Sequence, residues 1–248
     1  MEKTAIAYAT AAIAYACAAS GAEYAGKDLY SAEEHPGTVL ELALASPLQL
    51  PPANWNVYGL RLGAIYSESF RVCGLDAGLV GLARDSFSGI QFQAVADWTE
   101  GDAAGIQLAG IANIVAGNAT GGQLSAIVNY ARGDFTGLQL ASINHDGTFY
   151  GFQAGVFNYV KGISWGLQAG LANAAVNEWR GWSLGLCNYA ERMYGLQLGA
   201  INIAAQSGRG VQFGLFNAAD KFNGVQIGIL NIIGRGEVPI MPILNANF

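Results

Sequence analysis

An eight-residue phrase, Gly-Leu-Gln-Leu-Gly-Ala-Ile-Asn at residues 195–202, recurs in altered form along most of the chain. Related copies begin at Gly59, Gly74, Gly89, Gly105, Gly121, Gly137, Gly151, Gly166, Gly181, Gly195, Gly210 and Gly224, with neighbouring starts 14, 15 or 16 residues apart. So short a tandem period confines the fold to one small unit laid against its own copies. Within a copy the alternation is that of a strand: Leu196, Leu198, Ala200 and Asn202 share one face, and Gly195, Gln197, Gly199 and Ile201 the other. One strand per repeat is therefore predicted, and the chain is expected to be all-β.

The repeat is not uniform, and its third and eighth positions are its most regular. Gln fills the third position at Gln91, Gln107, Gln123, Gln139, Gln153, Gln168, Gln197, Gln212 and Gln226, while Arg61, Asp76 and Ser183 replace it elsewhere. Asn closes ten copies, from Asn113 and Asn129 to Asn231 and Asn245, where a residue that bonds its own backbone suits a turn. Between copies come short polar stretches such as His145-Asp146-Gly147 and Ala219-Asp220-Lys221, of hairpin or solenoid-corner length.

Ahead of the repeats, residues 4–22 carry no charge, Lys3 precedes them and Ser20-Gly21-Ala22 supplies small residues for cleavage, so residues 1–22 are predicted to be a signal peptide. Residues 23–37 form a polar lead and residues 38–248 one repeat-built domain, beginning with a strand at 38–46. The connection at 47–56 holds Pro47, Pro51 and Pro52, which donate no ladder hydrogen bond, and is expected to be loop. Counting the first strand, the Gly-led units and a degenerate unit at 238–245 gives fourteen strands.

Two architectures satisfy this pattern. The leading one is a fourteen-stranded antiparallel up-and-down transmembrane β-barrel, with Leu facing lipid and Gln and Gly facing a lumen. Nine residues per strand at ~3.3 Å and a tilt of ~40° span roughly 23 Å, close to the apolar band of such barrels. Tyr58, Tyr150, Trp165 and Tyr194, just before a leading Gly, would supply an aromatic collar. The alternative is a β-solenoid of 14–16-residue coils, with Leu inward and Gln and Asn stacked as ladders. Period two is common to both.

The repeats resemble those of a family of bacterial surface-repeat proteins built from tandem Gly-Leu-Gln-Leu-Gly-Leu-(Ile/Val)-Asn units, over residues 57–248. That resemblance implies a cell-surface location and brings no established biochemical activity with it. The ending Ile-Leu-Asn-Ala-Asn-Phe, closing on Phe248, is similar to the signal by which outer-membrane barrels are recognised, which implies the barrel-assembly machinery as a partner. Pro239 and Pro242 depart from that signal.

Chemistry is sparse. With His35 and His145 as its two histidines, the chain offers no metal cluster and no cofactor is expected, while His145 beside Asp146 reads as a solvated turn. A formal charge of -6 excludes a nucleic-acid partner, and 12% charged residues point to lipid or to tight stacking. Cys17, Cys73 and Cys187 form no motif and are expected to be free thiols, a Cys73–Cys187 disulfide being the alternative.

Arg61 and Asp76, in consecutive units, would face each other across a barrel lumen as a charged constriction, or form a cross-strand ion pair. With the nine Gln residues they make up the expected lumen lining. Phe87, Phe135, Phe149 and Phe222 lie on the same face and would close a barrel by crowding inward. The resulting expectation is a non-enzymatic outer-membrane barrel in contact with lipid, of unknown oligomeric state, serving as a passive pore for small polar solutes. A secreted or surface-attached solenoid acting as structural or adhesive scaffold is the alternative.

Overall fold

The computed structural model describes residues 35–248, so the expected signal peptide and most of the lead lie outside the described residues. The chain divides into two compact units after Asn118. Each unit is a β-solenoid.

In the first unit, β1 (Gly37–Ala45), β2 (Leu48–Leu50), β3 (Asn56–Thr99), β4 (Asp102–Ala109) and β5 (Ala112–Val115) follow in order. β1 runs parallel to β3 with Glu41 opposite Arg61, and β3 runs parallel to β4 with Gly89 opposite Gly105 and Gln91 opposite Gln107. At 44 residues β3 is far longer than one strand of a sheet; it bends through several coils without leaving extended geometry. β2 falls inside the Pro-rich connection expected to be loop, and pairs antiparallel with β1.

The second unit comprises β6 (Ala119–Ser125), β7 (Val128–Leu140), β8 (Ile143–Ala154), β9 (Phe157–Val160), β10 (Ile163–Ala169), β11 (Ala172–Leu184), β12 (Cys187–Leu198), β13 (Ile201–Phe213), β14 (Phe216–Ile233) and β15 (Ile240–Asn247). Like residues sit opposite like: Asn188 opposite Asn202, Gly195 opposite Gly210, Gln197 opposite Gln212, all parallel. β15 alone in this unit reverses, pairing antiparallel with β14 and covering its edge.

Parallel neighbours overturn the antiparallel barrel, and the reason lies in a slip of the alternation. Each repeat holds two short strand segments. The chain leaves the first at Gly199-Ala200 and enters the second at Ile201, so Asn202 points inward together with Gln197. It then turns again and returns, after 14–16 residues, to its starting side in its starting direction. Strict period two would have put Asn202 on the leucine face. Among the described residues there is no closed barrel wall and no lumen.

The polarity of the solenoid also differs from the expected one. Leucine does not line the inside: Gln91, Gln139, Gln153, Gln212 and Gln226 are fully buried, whereas Leu62, Leu75, Leu171 and Leu186 are exposed. The predicted division of faces, Leu out and Gln in, holds, but around a filled interior. Phe87, Phe135, Phe149 and Phe222 are buried as that face requires. In the second unit Trp179, Met193, Phe222 and Ile233 join Ala175, Ala190, Ala204 and Ala219 in an apolar column beside the amides.

Close stacking is permitted by the leading glycines. Gly210 has φ +134°, and a Cβ placed on it would lie 2.0 Å from the carbonyl oxygen of Gly195 in the coil before. Only a residue without a side chain fits that approach.

Differences in repeat length are absorbed at one place. The register shifts between Ala131 and Asp134, Ala175 and Glu178, Ala190 and Arg192, and Ala204 and Ser207. All four shifts lie at the corner after the second segment, where the charged residues gather.

Candidate functional site

The eleven residues expected to line a lumen form instead buried columns along the solenoid interior. Burying an amide is costly unless both its donor and acceptor are met, and identical residues in parallel register meet each other. In the second unit Gln139 Nε2 donates to Gln123 Oε1 at 2.9 Å, Gln153 to Gln139 at 2.8 Å and Gln168 to Gln153 at 2.7 Å. Ser183 then interrupts the column, its hydroxyl donating to Asn188 Oδ1 at 2.7 Å. The column resumes with Gln212 donating to Gln197 and Gln226 to Gln212, both at 2.7 Å. In the first unit Gln107 Nε2 donates to Gln91 Oε1 at 3.1 Å.

A second column is the Asn ladder expected of the solenoid alternative. Asn129, Asn144, Asn158, Asn173, Asn188, Asn202 and Asn217 each pass one Nδ2 hydrogen bond to the next Asn Oδ1, at 2.7–3.1 Å, the last of them to Asn231. The same Nδ2 groups reach a backbone carbonyl of the following coil, as Asn188 does to Leu198 and Asn202 to Phe213. Asn thus satisfies the corner of its neighbour and, at Asn202 and Asn231, also a carbonyl of its own turn, Gly199 and Gly228, as the repeat suggested. The signal was in the sequence: the eighth position is as regular as the third.

The Gln column's two charged substitutions, Arg61 and Asp76, sit at the heart of a buried charged cluster in the first unit. Arg61 and Asp76 form a bidentate pair, with Nε to Oδ1 at 2.7 Å and Nη2 to Oδ2 at 2.6 Å, both side chains wholly buried. Arg61 Nη1 also donates to the Leu82 carbonyl at 2.7 Å and to Ser69 Oγ at 3.1 Å, and Ser69 in turn donates to Glu41 at 2.6 Å. Gln91 and Gln93 both donate to Asp76 Oδ2. The pair is therefore a packed ion pair, and there is no channel for it to constrict. Burial opposes the charge of Arg61, but the surrounding carboxylates, Asp76 foremost with Glu41 and Asp97, together outweigh it and hold the guanidinium above its usual range.

Three carboxylates share that one cation, and two of them are strained electrostatically. Burial raises Glu41, partly offset by its hydrogen bond from Ser69. Asp97 is raised well above its usual value of 3.8 by burial and by Asp76, with Arg61 opposing. Its Oδ1 accepts from Gln107 at 2.9 Å while its Oδ2 has no partner. Asp97 stands opposite Asn113, in the place the Asn column occupies elsewhere.

An acid whose folded pKa lies above its unfolded one is not penalised below the unfolded value, and the penalty grows as pH rises toward the folded value. The first unit is accordingly expected to be more stable near pH 4 than at pH 8. Asp97→Asn restores the column residue, removes the charge, and should raise stability at pH 8 by about 1–3 kcal/mol while flattening the pH dependence. Urea midpoints at the two pH values check this; an Asp97→Asn chain that is no more stable at pH 8 contradicts it.

His145 and Asp146 are neither a solvated turn nor an acid–base pair. As strand neighbours they face opposite ways. Asp146 is fully buried and accepts from Gln139 and Gln153, bridging the amide column; burial raises it well above 3.8, with those two amides opposing. His145 stacks between Tyr130 and Tyr159, ring centroids 5.0 and 4.9 Å away, and burial lowers its pKa.

On the outside, three of the expected collar residues, Tyr150, Trp165 and Tyr194, do share the leucine face, but in single file. Tyr150 and Trp165 sit 6.5 Å apart, and the Arg180 guanidinium lies 4.7 Å from the Trp165 ring and 5.4 Å from that of Tyr194. This is a cation–π stack along the coils and not a girdle.

Of the cysteines described, Cys187 meets the expectation of a free thiol and Cys73 departs from it. Cys73 takes part in a disulfide and Cys187 is a free, exposed thiol, so the two do not pair with each other. Among the described residues no group of three His, Cys, Asp or Glu is placed to hold a metal ion. Phe248 lies beyond β15, exposed. No protein-family model matches the chain, and neither does any curated protein or solved structure.

Proposed function

We propose that the chain is an exported, non-catalytic β-solenoid acting as a structural or adhesive scaffold at a bacterial surface. The observation that carries this reading is the inverted polarity of each unit: amide columns inside, and repeated rows of exposed Leu, Ile, Val and Phe outside. A filled interior has nothing to transport, which removes the pore. Repeated apolar side chains held at fixed spacing offer many weak, identical contacts, and avidity turns such contacts into firm attachment. Export rests on the uncharged, small-residue character of residues 1–22.

Cells displaying the chain, compared with cells lacking it, should adhere more to methyl-terminated glass than to hydroxyl-terminated glass, and protease shaving of intact cells should release it. Equal adhesion with and without the chain, or protection from protease in intact cells, would contradict the reading.

A further inference from the structure

In the second unit an apolar ridge runs where each coil turns from its first segment to its second. Phe157, Leu171, Leu186, Leu215, Phe216 and Ile229 lie on it, each between 48% and 66% exposed. Their spacing is fixed by the main chain. Leu171 N bonds to Val156 O, Cys187 N to Leu171 O, Ile201 N to Leu186 O and Leu230 N to Leu215 O, all at 2.9–3.0 Å. Parallel pairing also aligns Phe157 with Ala172, Ala172 with Cys187, Cys187 with Ile201, and Ile201 with Phe216. Charged residues such as Glu191, Arg192, Asp220 and Lys221 occupy the other corner.

A half-exposed Leu or Phe leaves roughly 100 Å² in water, so these six alone expose on the order of 600 Å², the upper end of what a monomer's largest patch shows. With the partly exposed residues between them the ridge approaches the ~800 Å² per partner of a specific interface. It is also shaped for its own kind. Ala200 interrupts the file of large side chains between Leu186 and Leu215, leaving a groove of about 550 Å³ lined by Ala200, Gly214, Leu215 and Ile229. A projecting leucine from another ridge fits such a notch. A formal charge of -6 disfavours an anionic membrane as the occupant and does not disfavour a dry contact between uncharged ridges.

We propose that this ridge seats a second copy of the chain in a two-fold, side-by-side dimer. The inference builds on the scaffold reading, since lateral pairing is how a scaffold thickens. In an isologous contact each copy offers both ridge and notch.

Sedimentation velocity of the full chain in detergent-free buffer should give about twice the monomer mass of 25.9 kDa. Leu186→Lys with Leu215→Lys, both outward, should shift it to the monomer with unchanged far-ultraviolet circular dichroism. Cys187, a free exposed thiol on the ridge, provides a check on the unaltered chain. A short bis-maleimide should yield covalent dimers through it at micromolar protein.

A monomeric unaltered chain with no Cys187 cross-link at 100 µM would overturn the proposal, as would a dimer that persists in the double lysine variant. Binding of the monomer to neutral phosphatidylcholine vesicles in place of self-association would overturn it too. Cells that still adhere while the protein stays monomeric would remove the dimer and leave the scaffold reading in place.

Discussion

Gly210→Ala is expected to cost at least ~3 kcal/mol and to open the second unit around that coil. Alanine normally favours ordered structure over glycine, by lowering the entropy of the unfolded chain. Here two effects oppose it and both are larger. A φ of +134° is strained for any L residue with a Cβ, and that Cβ would sit 2.0 Å from a carbonyl oxygen of the preceding coil. The obstacle is backbone, so no rotamer relieves it; the two coils must part, and the hydrogen bonds that flank the contact stretch with them. Hydrogen exchange followed by mass spectrometry should show faster exchange in residues 195–226 of the variant than in the parent. Native-like exchange there would mean that the stack is looser than its glycine contacts require.

Arg61→Met is the second large effect, ~3–5 kcal/mol of destabilisation in the first unit. The substitution fills the space but strands the Asp76 carboxylate, which loses both charge-assisted bonds and keeps only those from Gln91 and Gln93. The Leu82 carbonyl and Ser69 lose a donor as well. The informative comparison is the double variant Arg61→Gln with Asp76→Gln. It removes the ion pair altogether and restores the residue that fills this column in nine other coils, so most of the loss should be recovered. Denaturant titration of the three chains forms the test: if the double variant is as unstable as Arg61→Met, the column does not tolerate Gln at these two coils and the cluster has a role beyond filling it.

The sequence made the strand content, the repeat boundaries and the division of faces legible, because all three depend on which residues recur at which spacing. Leu62, Leu75 and Trp182 outward and Gln139, Gln153 and Phe149 inward follow from alternation alone. What alternation could not carry was the path of the chain. An eight-residue phrase read as one straight strand places Asn202 with the leucines. The turn at Gly199-Ala200 returns it to the interior, and that single slip separates a coil from a hairpin. Gly199 signalled it, since a glycine in the middle of a strand pattern marks a bend as readily as a tight contact.

Asp97 and Asp146 illustrate a different blindness. A lone carboxyl looks solvated until the register sets Asp97 opposite the buried Asn113, and Asp146 between the buried Ala131 and Val160 of the neighbouring coils. The Arg61–Asp76 pair was visible because both partners broke the same column one repeat apart. The Asn ladder was visible only under the solenoid reading, because a turn-forming asparagine and a ladder-forming one share a sequence.

The register shifts at the charged corner bear on how such a molecule can change. Steps of 14 and of 15 residues coexist in the second unit because the surplus is taken up beside Ala131, Ala175, Ala190 and Ala204 while the Gln, Asn and Gly columns stay aligned. That corner is a tolerant seam. A tag, an epitope or a whole loop grafted between Gln206 and Ser207 would travel on the outside and leave the amide columns undisturbed, whereas one extra residue between Gln197 and Asn202 would throw both columns out of step.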